Sequence, residues 1–151
     1  MNAALFALTK IQPPRERRSR LHRPALDARL DAALQAHRVL LVQAPAGYGK
    51  TSALAALLAR LGEGSVSAWV SLDGDDDAQR LFACLVAALE PADLPWRSDP
   101  DALVAQLGQA GGLQRALAEL LNALAGAECR RGVIVVDDLH RATDSSLMLL
   151  L

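Results

Sequence analysis

The stretch that most constrains this chain runs from Val39 to Thr51, where an apolar run, Val-Leu-Leu-Val, enters the loop Gln-Ala-Pro-Ala-Gly-Tyr-Gly-Lys-Thr. Residues 44 to 51 fit the phosphate-loop pattern G-x-x-x-x-G-K-[ST] at Gly49, Lys50 and Thr51, with Ala44 in place of the first glycine. That departure is tolerable, because Pro45 pushes the residue before it into the extended region, which alanine adopts freely. A triphosphate is bound largely by backbone donors, and a loop that feeds a helix N-terminus aims several N–H groups at one place. Gly47 and Gly49 would let the backbone curl close, Lys50 would reach the β- and γ-phosphates, and the Thr51 hydroxyl would hold Mg2+. The cofactor-binding set read from the loop is Ala46, Gly47, Tyr48, Gly49, Lys50, Thr51 and Ser52.

The context of the loop supports this reading. The apolar run predicts a strand over 38–43 covered on both faces, as in a parallel sheet. Leu54, Leu57, Leu58 and Leu61 then recur as the buried stripe of a helix that Gly62 ends. Upstream, Leu26, Leu30, Ala33 and Leu34 predict a helix over 25–36. Downstream, Val66 to Leu72 reads as a second strand, and Leu81, Phe82, Leu85, Val86 and Leu89 carry a helix to residue 90. Between them stand Asp73 and Asp75 to Asp77, read as strand-end and helix N-cap residues in preference to a metal site. Three prolines mark 91–100 as a loop, and helices follow over 101–109 and 113–125, separated by Gly111-Gly112.

Residues 133 to 138, Val-Ile-Val-Val-Asp-Asp, form an apolar strand that ends in two carboxylates. A carboxylate at the C-terminal end of a buried parallel strand can hold the water shell of Mg2+ beside phosphates, the role read for Asp137. Asp138 would then polarise the attacking water as the catalytic base. His140 stands close in sequence and would either sense the γ-phosphate or face solvent.

Composition narrows the class. The chain of 151 residues is 52% apolar with a net charge of −1, so no global field draws it to nucleic acid or to a membrane. No apolar run approaches the roughly 20 residues that span a bilayer. Cys84 and Cys129 show neither a disulfide framework nor metal-ligand spacing, which fits structural thiols in a reducing cytoplasm. Residues 1–24 read as a basic N-terminal arm with Pro13-Pro14 and five arginines, either solvated or contacting phosphate.

With Thr9-Lys10, Pro13-Pro14, Arg23-Pro24, the loop from Ala44 to Thr51, Trp69-Val-Ser-Leu-Asp73 and Val135-Val-Asp-Asp-Leu-His140 in view, the chain resembles a known family. It is similar to the nucleotide-binding domain of the MalT-like, LuxR-type transcriptional regulators, which are P-loop ATPases of the STAND class. The resemblance implies an α/β fold, the P-loop NTPase three-layer α/β/α sandwich with a mainly parallel sheet, and a partial nucleotide-binding domain over 25–151. It implies Arg23 near the adenine end of the nucleotide and a switch run by Mg-ATP and ADP, with slow ATP hydrolysis at most. Self-association of the full-length protein and DNA binding would belong to winged-helix, helical-repeat and helix-turn-helix parts that are not in this sequence.

The chain ends inside an apolar helical pattern begun near Thr143, so the sheet is expected to be C-terminally incomplete. In that family a strand beyond residue 151 would lie between the Lys50-side strand and the Asp137 strand. Two other readings stay open: a P-loop kinase or other ATPase with a dedicated substrate, and a truncated remnant without function.

Overall fold

A computed structural model of the chain describes residues 6–15, 21–128 and 131–142. The chain divides into two compact units, one of residues up to Pro13 together with Gly64 onward, the other of Pro14–Glu63.

The larger unit is built on two strands, β1 (Ser65–Ser71) and β2 (Arg131–Asp137), paired in parallel from Ser65 opposite Arg131 to Ser71 opposite Asp137. Valine and isoleucine at 133–136 favour the pleated backbone because branching at Cβ restricts χ1 to rotamers that suit it. The amide of Leu72 donates to the carbonyl of Asp137 at 3.0 Å and carries the pairing one step past β1. Parallel strands need a long crossover, here made of α3 (Ala78–Leu89), α4 (Pro100–Ala105) and α5 (Gly112–Gly126).

Helix α3 starts where Asp77 accepts a hydrogen bond from the Arg80 amide at 2.8 Å, which satisfies one donor that the first turn would leave orphaned. Its apolar face buries Leu81, Phe82, Cys84 and Leu89 against Ala68, Val70 and Leu72 of the β1 region. Pro91 stops it, since proline has no N–H to continue the ladder. Leu103, Leu107, Ala116, Leu120 and Ala123 complete the same core from α4, its trailing turn and α5. Burial pushes the Cys84 thiol up to about 11, so it behaves as a small apolar side chain. Asp77→Ala should cost about 1 kcal/mol of stability, measured as a lowered urea midpoint at unchanged slope.

In the smaller unit, α1 (Pro24–Ala36) and α2 (Lys50–Ala59) pack through Leu30, Ala53 and Leu57, flanked by Leu26, Leu34 and Leu54. Proline at the first helical position starts α1, where its missing N–H has no consequence. Arg60, just past α2, spans one turn of α1: Nη1 lies 3.1 Å from Asp27 Oδ1 and Nη2 lies 3.1 Å from Asp31 Oδ1. A guanidinium there also complements the negative end of the α2 dipole.

The structure corrects the sequence reading at four points. No strand forms over 38–43: burial alternates, with Leu40 and Val42 half-buried on the helix cluster and Val39 and Leu41 82% and 73% exposed. Apolar, β-branched composition sets a local preference for extended chain, whereas a strand also requires a partner ladder. Among the described residues the sheet holds β1 and β2 alone. Helix α2 ends at Ala59, before Gly62, and the left-handed glycine of that turn is Gly64. Helix α4 ends at Ala105, after which Gln106 and Leu107 donate to carbonyls three residues back in tightened turns. Residues 8–11 form a 3-10 turn within the N-terminal arm. The helix expected from Thr143, Cys129 and the arginines at 17, 18 and 20 lie outside the described residues.

Candidate functional site

The loop before α2 is shaped by its glycines. Gly47 has φ +81° and Gly49 has φ +80°, the left-handed region where a side chain is strained, although a Cβ at either would meet nothing within 4 Å. Space is not what requires glycine here; backbone direction is. Two left-handed residues flank Tyr48 and turn the chain sharply before α2, the kind of backbone from which anion nests are built. The turn closes with the Tyr48 amide on the Pro45 carbonyl at 3.4 Å, and the first helical bond runs from the Ala53 amide to the Gly49 carbonyl at 2.9 Å.

No side chain caps the start of α2. Gly49 at the N-cap has no side chain to occupy the first-turn amides, which leaves the positive end of the helix dipole suited to an external anion. Lys50, the first helical residue, folds back so that Nζ donates to the Ala44 carbonyl at 2.7 Å and the Pro45 carbonyl at 3.1 Å. The ammonium is thus held over the loop by neutral acceptors, which a phosphate oxygen outcompetes through charge-assisted bonding. Ala46 and Tyr48 are exposed on the loop, Thr51 is half-buried and Ser52 is exposed in the first turn of α2. Arg23, at the N-cap of α1, donates from Nη1 to the Tyr48 carbonyl at 3.3 Å and ties the start of that helix to the loop. The donor set fits a polyphosphate: a left-handed glycine pair, an uncapped helix start and a poised ammonium.

Asp137 and Asp138 belong to the other unit. Asp137 ends β2 opposite Ser71 and is buried, 8% exposed. Asp138 adopts the left-handed conformation, φ +57°, and opens a 3-10 turn over Leu139–Arg141. Its side chain is 42% exposed, with Arg141 Nε and His140 Nδ1 each at 3.9 Å from a carboxylate oxygen. His140 is itself 72% exposed, so of the two roles open to it the structure favours facing solvent. The two neighbouring carboxylates thus differ: one is fixed in the sheet, the other turned toward water.

Sequence reasoning assigned no role to Lys10. Its Nζ lies 2.9 Å from Asp73 Oδ2, and 2.6 and 2.5 Å from Asp76 Oδ1 and Oδ2. Burial opposes the ammonium charge, but the hydrogen bonds and charges of Asp76 and Asp73 outweigh it and raise the Lys10 pKa. The Lys10 hydrogen bond, with that of the Asp75 amide, lowers the Asp73 carboxyl below the usual range. Asp76 also accepts from the Asp73 amide at 2.8 Å. The aspartate run after β1 is therefore a socket for a lysine side chain at Asp73 and Asp76 and a helix cap at Asp77.

The family model of the AAA ATPase domain matches residues 17–151. The chain belongs to the AAA ATPase domain family. Its fold is accordingly the P-loop α/β class, with the parallel pair β1 and β2 as its described sheet. This AAA ATPase domain is similar to the HTH-type transcriptional regulator MalT of Cronobacter sakazakii, 34% identical over 124 residues, which are 81% of this chain and 13% of that protein. The MalT regulators of Klebsiella pneumoniae subsp. pneumoniae MGH 78578 and Klebsiella pneumoniae 342 are each 34% identical over 105 residues, 69% of this chain and 11% of theirs. The resemblance to MalT-like regulators is borne out, and the matched region is about an eighth of the length of those relatives. No solved structure matches the chain. No helix among the described residues is long and apolar enough to cross a membrane.

Proposed function

We propose that this AAA ATPase domain is the ATP-binding switch of a MalT-like transcriptional regulator acting in the cytoplasm. The observation that carries the reading is the loop of residues 44–51, whose left-handed glycines open an uncapped helix with Lys50 held over it. Main-chain amides of residues 46–52 would receive the phosphate oxygens, while Lys50 exchanges its two carbonyl acceptors for the β- and γ-phosphates. Thr51 and Asp137 are the residues that would hold magnesium, which when bound neutralises phosphate charge. Asp138, turned toward water at the end of β2, would orient the attacking water and accept its proton. Arg23 would lie beside the adenine end, where its bond to the Tyr48 carbonyl already fixes it on the loop. In the whole regulator, ATP and ADP states would govern self-association and DNA binding by other regions.

Calorimetric titration with Mg-ATP and Mg-ADP, in parallel with Lys50→Ala, tests the site. The variant should lose a charge-assisted contact of about 1.5–3 kcal/mol, or roughly 10- to 150-fold in affinity. Unchanged affinity in Lys50→Ala would remove the loop from consideration.

A further inference from the structure

The unit that carries β1 and β2 also contains a cavity of about 420 Å³, within the usual range for small-molecule sites of roughly 300–1,000 Å³. Its wall is apolar: Phe6 and Ile11 come from the N-terminal segment, Val86 and Ala87 from α3, and Trp96 and Val104 from the chain beyond. Around it stand four carboxylates, Glu90, Asp93, Asp99 and Asp101, all of them exposed. Among the described residues no basic side chain lines it. An apolar body can displace water from the wall, and the carboxylate rim repels an anion while attracting a cation over several ångströms. The half-buried indole of Trp96 adds a π face that favours an ammonium over a neutral group.

We propose that this cavity is a binding site for a small amphiphilic cation, an aryl or branched alkyl body bearing one ammonium group. The apolar body sits against Phe6, Val86 and Trp96, and the ammonium lies at the rim formed by Glu90, Asp93, Asp99 and Asp101. The site is independent of the nucleotide assignment, since no loop residue lines it. Occupancy would press on the 3-10 turn Leu8–Ile11, whose Lys10 is anchored in the aspartate socket after β1. A bound cation would thereby hold the N-terminal segment against α3.

Three probes of one skeleton test this: 4-phenylbutylamine, 4-phenylbutyrate and 4-phenylbutanol, titrated into the full chain by calorimetry and by tryptophan fluorescence. Trp69 is 2% exposed, so the fluorescence response reports on Trp96. The amine should bind saturably, at least tenfold tighter than the carboxylate, with the preference shrinking as salt is raised. Ala87→Phe fills the cavity and should weaken the amine tenfold or more while the circular dichroism spectrum is kept. Asp93→Asn should weaken the amine about threefold, as expected for an exposed ion pair, and leave the alcohol unchanged. Asparagine suits position 93 because the backbone there is left-handed, φ +46°. Equal affinity for amine and carboxylate overturns the proposal, as does amine binding unaffected by Asp93→Asn.

Discussion

Lys10→Ala is expected to destabilise the chain by about 3 kcal/mol, the lower end of the range for breaking a buried ion pair. Asp76 carries the effect: its side chain is 2% exposed, and without the ammonium its charge would be buried with only the Asp73 amide, among the described residues, to serve it. Lys10 keeps 15% exposure and Asp73 45%, so water relieves part of the loss. Against a total stability of about 5–15 kcal/mol, a change of that size should lower the urea midpoint by more than 1 M. The double variant Lys10→Met/Asp76→Asn should recover most of it, because asparagine still accepts from the Asp73 amide and leaves no charge behind. A double variant as unstable as Lys10→Ala would show that the segment is held by something other than this pair.

The pH dependence has a definite sign at each end. Lys10 has a raised pKa in the folded chain, so its contribution is complete below the unfolded value, near 10.4, and is lost as pH rises through the folded one. Asp73 has a lowered pKa, so its contribution is present above about 3.9 and is lost as pH falls through the folded value. The difference between wild type and Lys10→Ala should therefore be flat from about pH 5 to 9 and shrink outside that window. Urea titrations at pH 3, 7 and 10.5 measure this. A difference that grows at pH 3 would contradict the socket.

The second large effect is expected at Asp138. Asp138→Asn should leave Mg-ATP affinity unchanged and slow single-turnover hydrolysis by roughly 100- to 10,000-fold, the usual contribution of a positioned base. Asparagine tolerates the left-handed backbone at 138, φ +57°, so the turn that follows β2 is preserved and the variant reports on chemistry alone. Equal turnover would mean that another group takes the proton. Asp137→Asn, by contrast, alters a carboxylate fixed within the sheet and should weaken the magnesium dependence of binding itself.

Much of this was legible in the residues because the signals were local. The helices α1, α3 and α5 follow from apolar spacing, the start of α3 from Asp77, and β2 from four consecutive branched residues. The loop at 44–51 announced its own geometry, since Gly47 and Gly49 stand where the backbone turns left-handed. What was missed is non-local. The expected strand at 38–43 has the composition of a strand, but a ladder is a property of two segments, and no periodicity in one of them reveals its partner.

The Lys10 socket joins residues 63 and 66 positions apart, beyond any window of sequence pattern. One sign was available. Of the sixteen basic residues, lysine stands only at 10 and 50, and arginine everywhere else. Lys50 is held by two carbonyl oxygens and Lys10 by three carboxylate contacts, a task for a compact point charge in place of a planar fork.

The pairing of β1 with β2 also bears on how the chain is made. About 60 residues separate the two strands, so at a synthesis rate of roughly 5–20 residues per second β1 leaves the ribosome several seconds before its partner exists. During that interval its main-chain donors have water or another nascent chain as partners. Serine at 65, 67 and 71 shares one face of β1 with Trp69, so three of the four residues on that face are polar and poorly adhesive to a second apolar strand. Helix α3, which follows directly and packs on β1, can cover the other face while β2 is still being translated. The serines of β1 therefore protect an unfinished molecule as well as shaping a finished one.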